Sequence, residues 1–364
     1  MRISNLYISN SENDEVTPKL LVKKLWPLAA VLVIFLLGAD YIFDRYIIFA
    51  NSWSNQSKVK RLLDDPNPNE IPVFGASVAR SSFTPDSISP DCFNYGMGKA
   101  LFDVTRVLMK VECEKDKDAP IIFEINPRTF IRNPETTINS STFIPLLHHE
   151  VIENFMRESG VFNAHYTVPG MRYYGNYFNY AVGPLRRLRG DKRDNRGVML
   201  EEKSQSEKDV EIFVQRLANL NSRRIELQDK FDDPNKVFSP EDEYALNSIN
   251  AMVYFSVDTA YLEEFEGYLR GSKQRKFILV TVPTNPLLKE SLPNFDEFVR
   301  FATDLADAHE NAYYLDYSDF PTELDYYKDP THFSAKGARI FSSAFAKDFE
   351  ALTGIRQDGS RTLN

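Results

Sequence analysis

The pattern of apolar and polar positions divides the chain into one long apolar stretch near its start and, further on, short apolar runs separated by segments of helical period. Leu25-Trp-Pro-Leu-Ala-Ala-Val-Leu-Val-Ile-Phe-Leu-Leu-Gly-Ala39 carries no charge. Tyr41 to Phe43 and Tyr46 to Phe49 continue it past Asp40. With Tyr41 to Phe43 the stretch reaches the ~20 residues that a membrane-spanning helix needs. The short runs are of buried-strand type. They predict strands at Ile71–Phe74, Cys92–Tyr95, Ala119–Ile125, Phe277–Val282 and Ala312–Tyr317. Between the second and third, Leu101, Val104, Val107, Leu108 and Val111 fall on one face of a predicted helix, Leu101–Glu112. Strands joined by a helical crossover imply βαβ units and a parallel sheet, hence the α/β class.

From about residue 131 to 270 this rhythm stops. Helices are predicted at His148–Met156 and Ser206–Leu227, and Ser239-Pro240 has the residue types that open a helix, here one running to about Leu269. The stretch is too long for a crossover and reads as an inserted helical subdomain. Asn294 and Glu297 form a cap-like pair opening a helix to His309, and Ser334 caps a final amphipathic helix. The expected organisation is a tail (1–24), an apolar span (25–45), a linker (46–70), a first α/β part (71–135), the helical insertion (136–270) and a second α/β part (271–364).

Charge and composition narrow the setting. Lys19, Lys23 and Lys24 precede the apolar stretch, with Trp26 and Tyr41 as interfacial anchors. Lysines on that side put the N-terminus in the cytoplasm and the rest outside. An uncleaved signal anchor is expected; a cleaved signal peptide is the rival, but Leu37-Gly-Ala39 is a poor cleavage site. The net charge of -9 argues against a general nucleic-acid binder, which meets phosphates with clustered Lys and Arg. The basic run Arg186–Arg196 reads as a solvated loop or a contact for anionic lipid or polymer. Tyr173, Tyr174, Tyr177, Phe178 and Tyr180 pack the inserted subdomain, stack on sugars or rest at a membrane surface. Two cysteines, Cys92 and Cys113, exclude a disulfide-rich scaffold and a zinc ribbon. Pairing of these two and two free thiols both remain open. His148-His149 lacks the spacing of a metal site, and no metal or cofactor is expected.

The candidate chemistry lies where the predicted strands end. Ser77 follows the first strand, Gly96 and Gly98 the second, Asn126 the third, and Asp329 and His332 the fifth. In an open α/β sheet these loops share the ligand-binding edge. A serine becomes a nucleophile when a neutral imidazole takes its proton. A carboxylate then fixes the imidazole tautomer and stabilises the imidazolium. Backbone N–H groups near Ser77 and the glycines, with the Asn126 amide, suit a developing oxyanion. Each residue also has a plainer reading: Ser77 as a turn residue, His332 as a loop histidine, Asp329 as a turn opener, Asn126 as a strand end. Glu124, mid-strand, is expected to be a buried, paired charge.

Taken in order, Gly75-Ala-Ser77, Gly96 or Gly98, Asn126 and Asp329-x-x-His332 resemble the four blocks of the SGNH (GDSL-like) hydrolase and acyltransferase superfamily. The resemblance covers residues 71–130 and 276–353. Ala76 stands where the family usually has Asp, and Glu124-Ile-Asn-Pro127 stands for its Gly-x-Asn-Asp. The apolar anchor, the degenerate blocks and the long insertion are similar to the branch that includes the D-alanyl transfer protein of teichoic acids. The resemblance implies a flavodoxin-like five-stranded sheet and Ser77–His332–Asp329 acyl transfer, with Gly96, Gly98 and Asn126 at the oxyanion. It further implies an acceptor that is a cell-envelope polysaccharide or teichoic-acid-like polymer, and a multispanning membrane O-acyltransferase as partner. An esterase acting on the same kind of polymer, and a non-catalytic partner of the membrane enzyme, are the alternatives.

Overall fold

The computed structural model describes residues 18–49, 54–64, 67–98, 100–132, 138–168, 170–175, 180 and 206–360. The first element, α1 (Pro18–Phe43), continues into a π-helical turn, Asp44–Ile48. Within it, Leu25–Ile48 is long and apolar enough to cross a membrane, and side chains such as Leu28, Ile34 and Phe35 stand exposed. A short helix, α2 (Asn55–Asp64), leads to the sheet.

The sheet contains β1 (Ile71–Phe74), β2 (Cys92–Asn94), β3 (Ile121–Glu124), β4 (Phe277–Thr281) and β5 (Ala312–Asp316). All neighbours are parallel, in the order β2-β1-β3-β4-β5. Alternate residues feed two cores, as the two-residue strand period requires. Phe74, Phe123, Phe277 and Leu279 enter one, with α4 (Phe102–Cys113). Val73, Ile122, Ile278 and Val280 enter the other, with α3 (Ser77–Ser82). Burial on both faces is why these strands read as continuous apolar runs. The order changes direction between β1 and β3, which opens a crevice at the carboxyl ends of the strands.

The stretch expected to form one inserted subdomain divides. Residues around Phe143–Met156, including α5 (Glu150–Glu158), pack into the sheet's own core. α6 (Glu207–Asp232) and α7 (Pro240–Val253) share a separate cluster of Leu217, Leu227, Leu246, Ile249 and Val253. Ser239 caps α7 in a capping box with Asp242. The single long helix expected from Ser239 is instead two. It breaks at Tyr254, and Asp258 caps α8 (Thr259–Gly271) by accepting from the N–H groups of Ala260 and Tyr261. Phe265 of α8 then lies against Phe102, Phe123 and Phe130, so α8 covers the sheet as a crossover helix does.

After β4 come α9 (Pro286–Glu290), α10 (Phe295–Asp307), β5, a small antiparallel hairpin of β6 (Tyr327–Asp329) and β7 (His332–Phe333), and α11 (Ala335–Thr353). Asn294 does not cap α10 through its side chain. Its amide exchanges hydrogen bonds of 2.8 Å with the backbone of Phe255, across the break between α7 and α8. Ser334 caps α11, its Oγ accepting from Gly337 N–H. Cys92 and Cys113 are both free thiols, and burial pushes the Cys113 thiol up to about 11. Tyr177, Phe178 and the basic run 186–196 lie outside the described residues.

Candidate active site

The turn after β1 depends on Gly75. Its φ of +143° lies in a region that L side chains avoid, and an added Cβ would sit 2.7 Å from Ala79 Cβ and 2.8 Å from Glu124. This tight turn places Ser77 as the first residue of α3, at the mouth of the crevice. Asn94, buried at the end of β2, holds the helix from behind. Its Nδ2 donates to the carbonyls of Ala79 (2.9 Å) and Phe83 (3.0 Å).

The hairpin delivers the partners. Ser77 Oγ lies 2.8 Å from His332 Nε2, and His332 Nδ1 lies 2.8 and 2.9 Å from the two oxygens of Asp329. Facing a carboxylate, Nδ1 carries the proton, which leaves Nε2 to accept from the serine hydroxyl. Asp329 Oδ1 also accepts from the backbone N–H groups of Thr331 and His332, at 3.0 Å each, and from the Thr331 hydroxyl at 3.1 Å. Partial burial alone would raise the Asp329 pKa. The His332 ring and the Thr331 donors outweigh it and hold the carboxyl down at about 2. The carboxyl is therefore ionised across the physiological range.

Asn126 lines the same cleft and is fixed at both ends of its amide. Nδ2 donates to Glu124 Oε1 at 2.6 Å, and Oδ1 accepts from Arg128 N–H at 2.8 Å. One Nδ2–H remains. Glu124 is 1% exposed, and burial pushes its pKa up to about 7, although the Asn126 amide and the Ala76 N–H favour the charged form. Amide groups, rather than the cation expected, meet this side chain.

The glycines lie elsewhere. Gly96 N–H donates to Asn94 Oδ1 at 2.8 Å, and its carbonyl accepts from the buried Lys58 Nζ at 2.6 Å. An added Cβ there would be 2.6 Å from Arg80 N, so this residue is a point of close backbone approach to α3. Gly98 packs against the Arg80 guanidinium. Neither glycine lines the cleft. The sequence reading missed Asn94, Lys58, Thr331 and Arg128. A polar residue inside an apolar strand was the available signal for Asn94, and the lysine between the buried faces of α2 was the signal for Lys58.

The cleft has a volume of about 300 Å³ and mixes the polar groups above with Val282, Leu288, Leu292 and Phe295, while Arg128 adds a positive charge. It meets a broader surface groove of about 660 Å³, with which it shares Thr284, Leu292 and Phe295. No protein-family model matches the chain, and no curated protein matches it either.

Proposed function

We propose that the chain is a membrane-anchored serine acyltransferase of the SGNH type, acting outside the cytoplasmic membrane on a cell-envelope polysaccharide or teichoic-acid-like polymer. The observation that carries this reading is the unbroken relay from Ser77 Oγ through His332 to Asp329 at 2.8 Å per step. The strand order β2-β1-β3-β4-β5 is also that of a flavodoxin-like sheet.

In this reading Ser77 Oγ attacks the carbonyl carbon of an acyl donor while His332 Nε2 takes the hydroxyl proton. Asp329 stabilises the imidazolium that forms. The tetrahedral oxyanion is met by the Ser77 N–H at the start of α3 and by the remaining Nδ2–H of Asn126. His332 returns its proton to the departing group, which leaves an acyl-Ser77 ester. A polymer hydroxyl then enters, gives its proton to His332 and takes the acyl group, and Ser77 recovers the proton. The same steps with water as acceptor would make the chain an esterase. A multispanning membrane O-acyltransferase is the proposed donor partner.

Cells carrying Ser77→Ala should lose the alkali-labile acyl groups of the envelope polymer, while the amount of anchored protein stays unchanged. Unaltered acylation would remove the proposal. Rapid turnover of small acetyl esters by the full-length protein alone would move it to hydrolysis.

A further inference from the structure

Asp40 and Asp44 interrupt the apolar helix, and a bare carboxylate at membrane depth is costly. One loop meets both. Gly170 N–H donates to Asp40 Oδ2 at 3.1 Å, Arg172 Nη1 reaches Asp44 Oδ2 at 3.3 Å, and the Tyr173 hydroxyl donates to Asp44 Oδ1. Asp40 is only 7% exposed as a result. Phe43 adds ring contacts to Tyr173 at 5.1 Å and to Tyr180 at 6.0 Å. The approach is close enough to need glycine: at Gly170 (φ +75°) an added Cβ would lie 2.5 Å from Leu36 Cδ2. The loop is thus pinned along the helix from Leu36 to Asp44, a rise of about 12 Å at 1.5 Å per residue.

The same loop exposes three large apolar side chains to the outside. Met171 N–H donates to Val168 O and Tyr174 N–H to Met171 O, both at 3.0 Å. Val168, Met171 and Tyr174 are 43%, 51% and 72% exposed. They stand beside a helix whose own apolar side chains are exposed at the same level, Phe35 and Tyr41 among them.

We propose that the Val168–Met171–Tyr174 face enters the same leaflet of the lipid bilayer as the C-terminal part of α1, so that two contacts, not a single tether, hold the domain on the membrane. The occupant is lipid because the face is continuous with the surface of the apolar helix, and Tyr174 is of the type that settles at the headgroup level. Asp40, buried, and Asp44, half-buried, form with their partners the polar seam between the two apolar surfaces. The Ser77 cleft is then held at one height and orientation. This inference rests on α1 crossing the membrane and is independent of the chemistry at Ser77.

The test uses the full-length chain in phosphatidylcholine vesicles that contain a lipid spin-labelled on its acyl chain. Single cysteines carry a small fluorophore at position 171, 174, 34 or 358, in a Cys92→Ala, Cys113→Ala background. Position 34 reports the helix. Position 358 reports a solvent-exposed site next to the core on the other face of the sheet. Quenching at 171 and 174 should approach that at 34 and exceed that at 358 several-fold. Quenching at 34, with 171 and 174 as weak as 358, would overturn the proposal and leave the apolar face to a membrane protein. No quenching at 34 would remove the spanning helix itself, and the proposal with it.

Discussion

Replacing Glu124 with Gln should flatten the dependence of stability on pH. Burial raises the Glu124 pKa from 4.5 to about 7. Between those values the folded chain keeps a proton that the unfolded chain has released. The stability contributed by the neutral acid is therefore complete below pH 4.5 and is lost as pH rises through 7. The gap, at about 1.4 kcal/mol per unit, amounts to about 3 kcal/mol. Gln has nearly the same shape, can accept from Asn126 Nδ2 and does not ionise. Its amide faces the Ala76 N–H, which adds a penalty independent of pH. Urea unfolding of both full-length proteins in detergent, from acid to alkaline pH, isolates the effect because other titrating groups cancel in the difference. The variant should gain on wild type by about 3 kcal/mol across the window. Parallel curves, or a gain on acidification, would refute the argument that the carboxyl is buried without a cation.

Three further substitutions probe the frame around the cleft. Asn94→Leu strands the Phe83 carbonyl and the Gly96 N–H and leaves the Ala79 carbonyl with the Phe83 N–H alone, so it should destabilise by about 2 kcal/mol and slow acylation of Ser77, read from denaturant midpoints and adduct formation. Arg275→Met removes the fully buried guanidinium that donates to Glu112 Oε1 at 2.8 Å and to the Ala119 and Glu112 carbonyls, so a loss of about 3 kcal/mol is expected in urea unfolding even though Lys115 still pairs with Glu112. Arg128→Gln should slow reaction of Ser77 with an anionic fluorophosphonate far more than with a neutral one, measured as the ratio of the two labelling rates.

The strands were legible because a parallel strand buried on both faces leaves a continuous apolar run, and Ile71–Phe74 has the predicted bounds. Ser77, Asn126, Asp329 and His332 were legible as polar residues following such runs, although Ser77 opens α3 and Asp329 and His332 sit in the β6–β7 hairpin rather than in loops. The break at Tyr254 was not, because the Asn294 amide that grips the Phe255 backbone comes from a distant element. Gly96 misled for a related reason. Glycine after a strand suits an oxyanion loop and a close backbone contact equally well, and only the positions of Arg80 and Asn94 distinguish them. The hairpin that aligns Asp329 with His332 is too short to leave a period in the sequence.

The central claim is that Ser77 is an activated nucleophile. Its most direct test is intact-mass spectrometry of the full-length protein after treatment with a fluorophosphonate. Wild type should gain one adduct that maps to Ser77, absent in Ser77→Ala and in His332→Ala, and slowed on the order of ten-thousandfold in Asp329→Asn. A wild-type protein that gains no adduct, or an adduct that survives in Ser77→Ala, would contradict it.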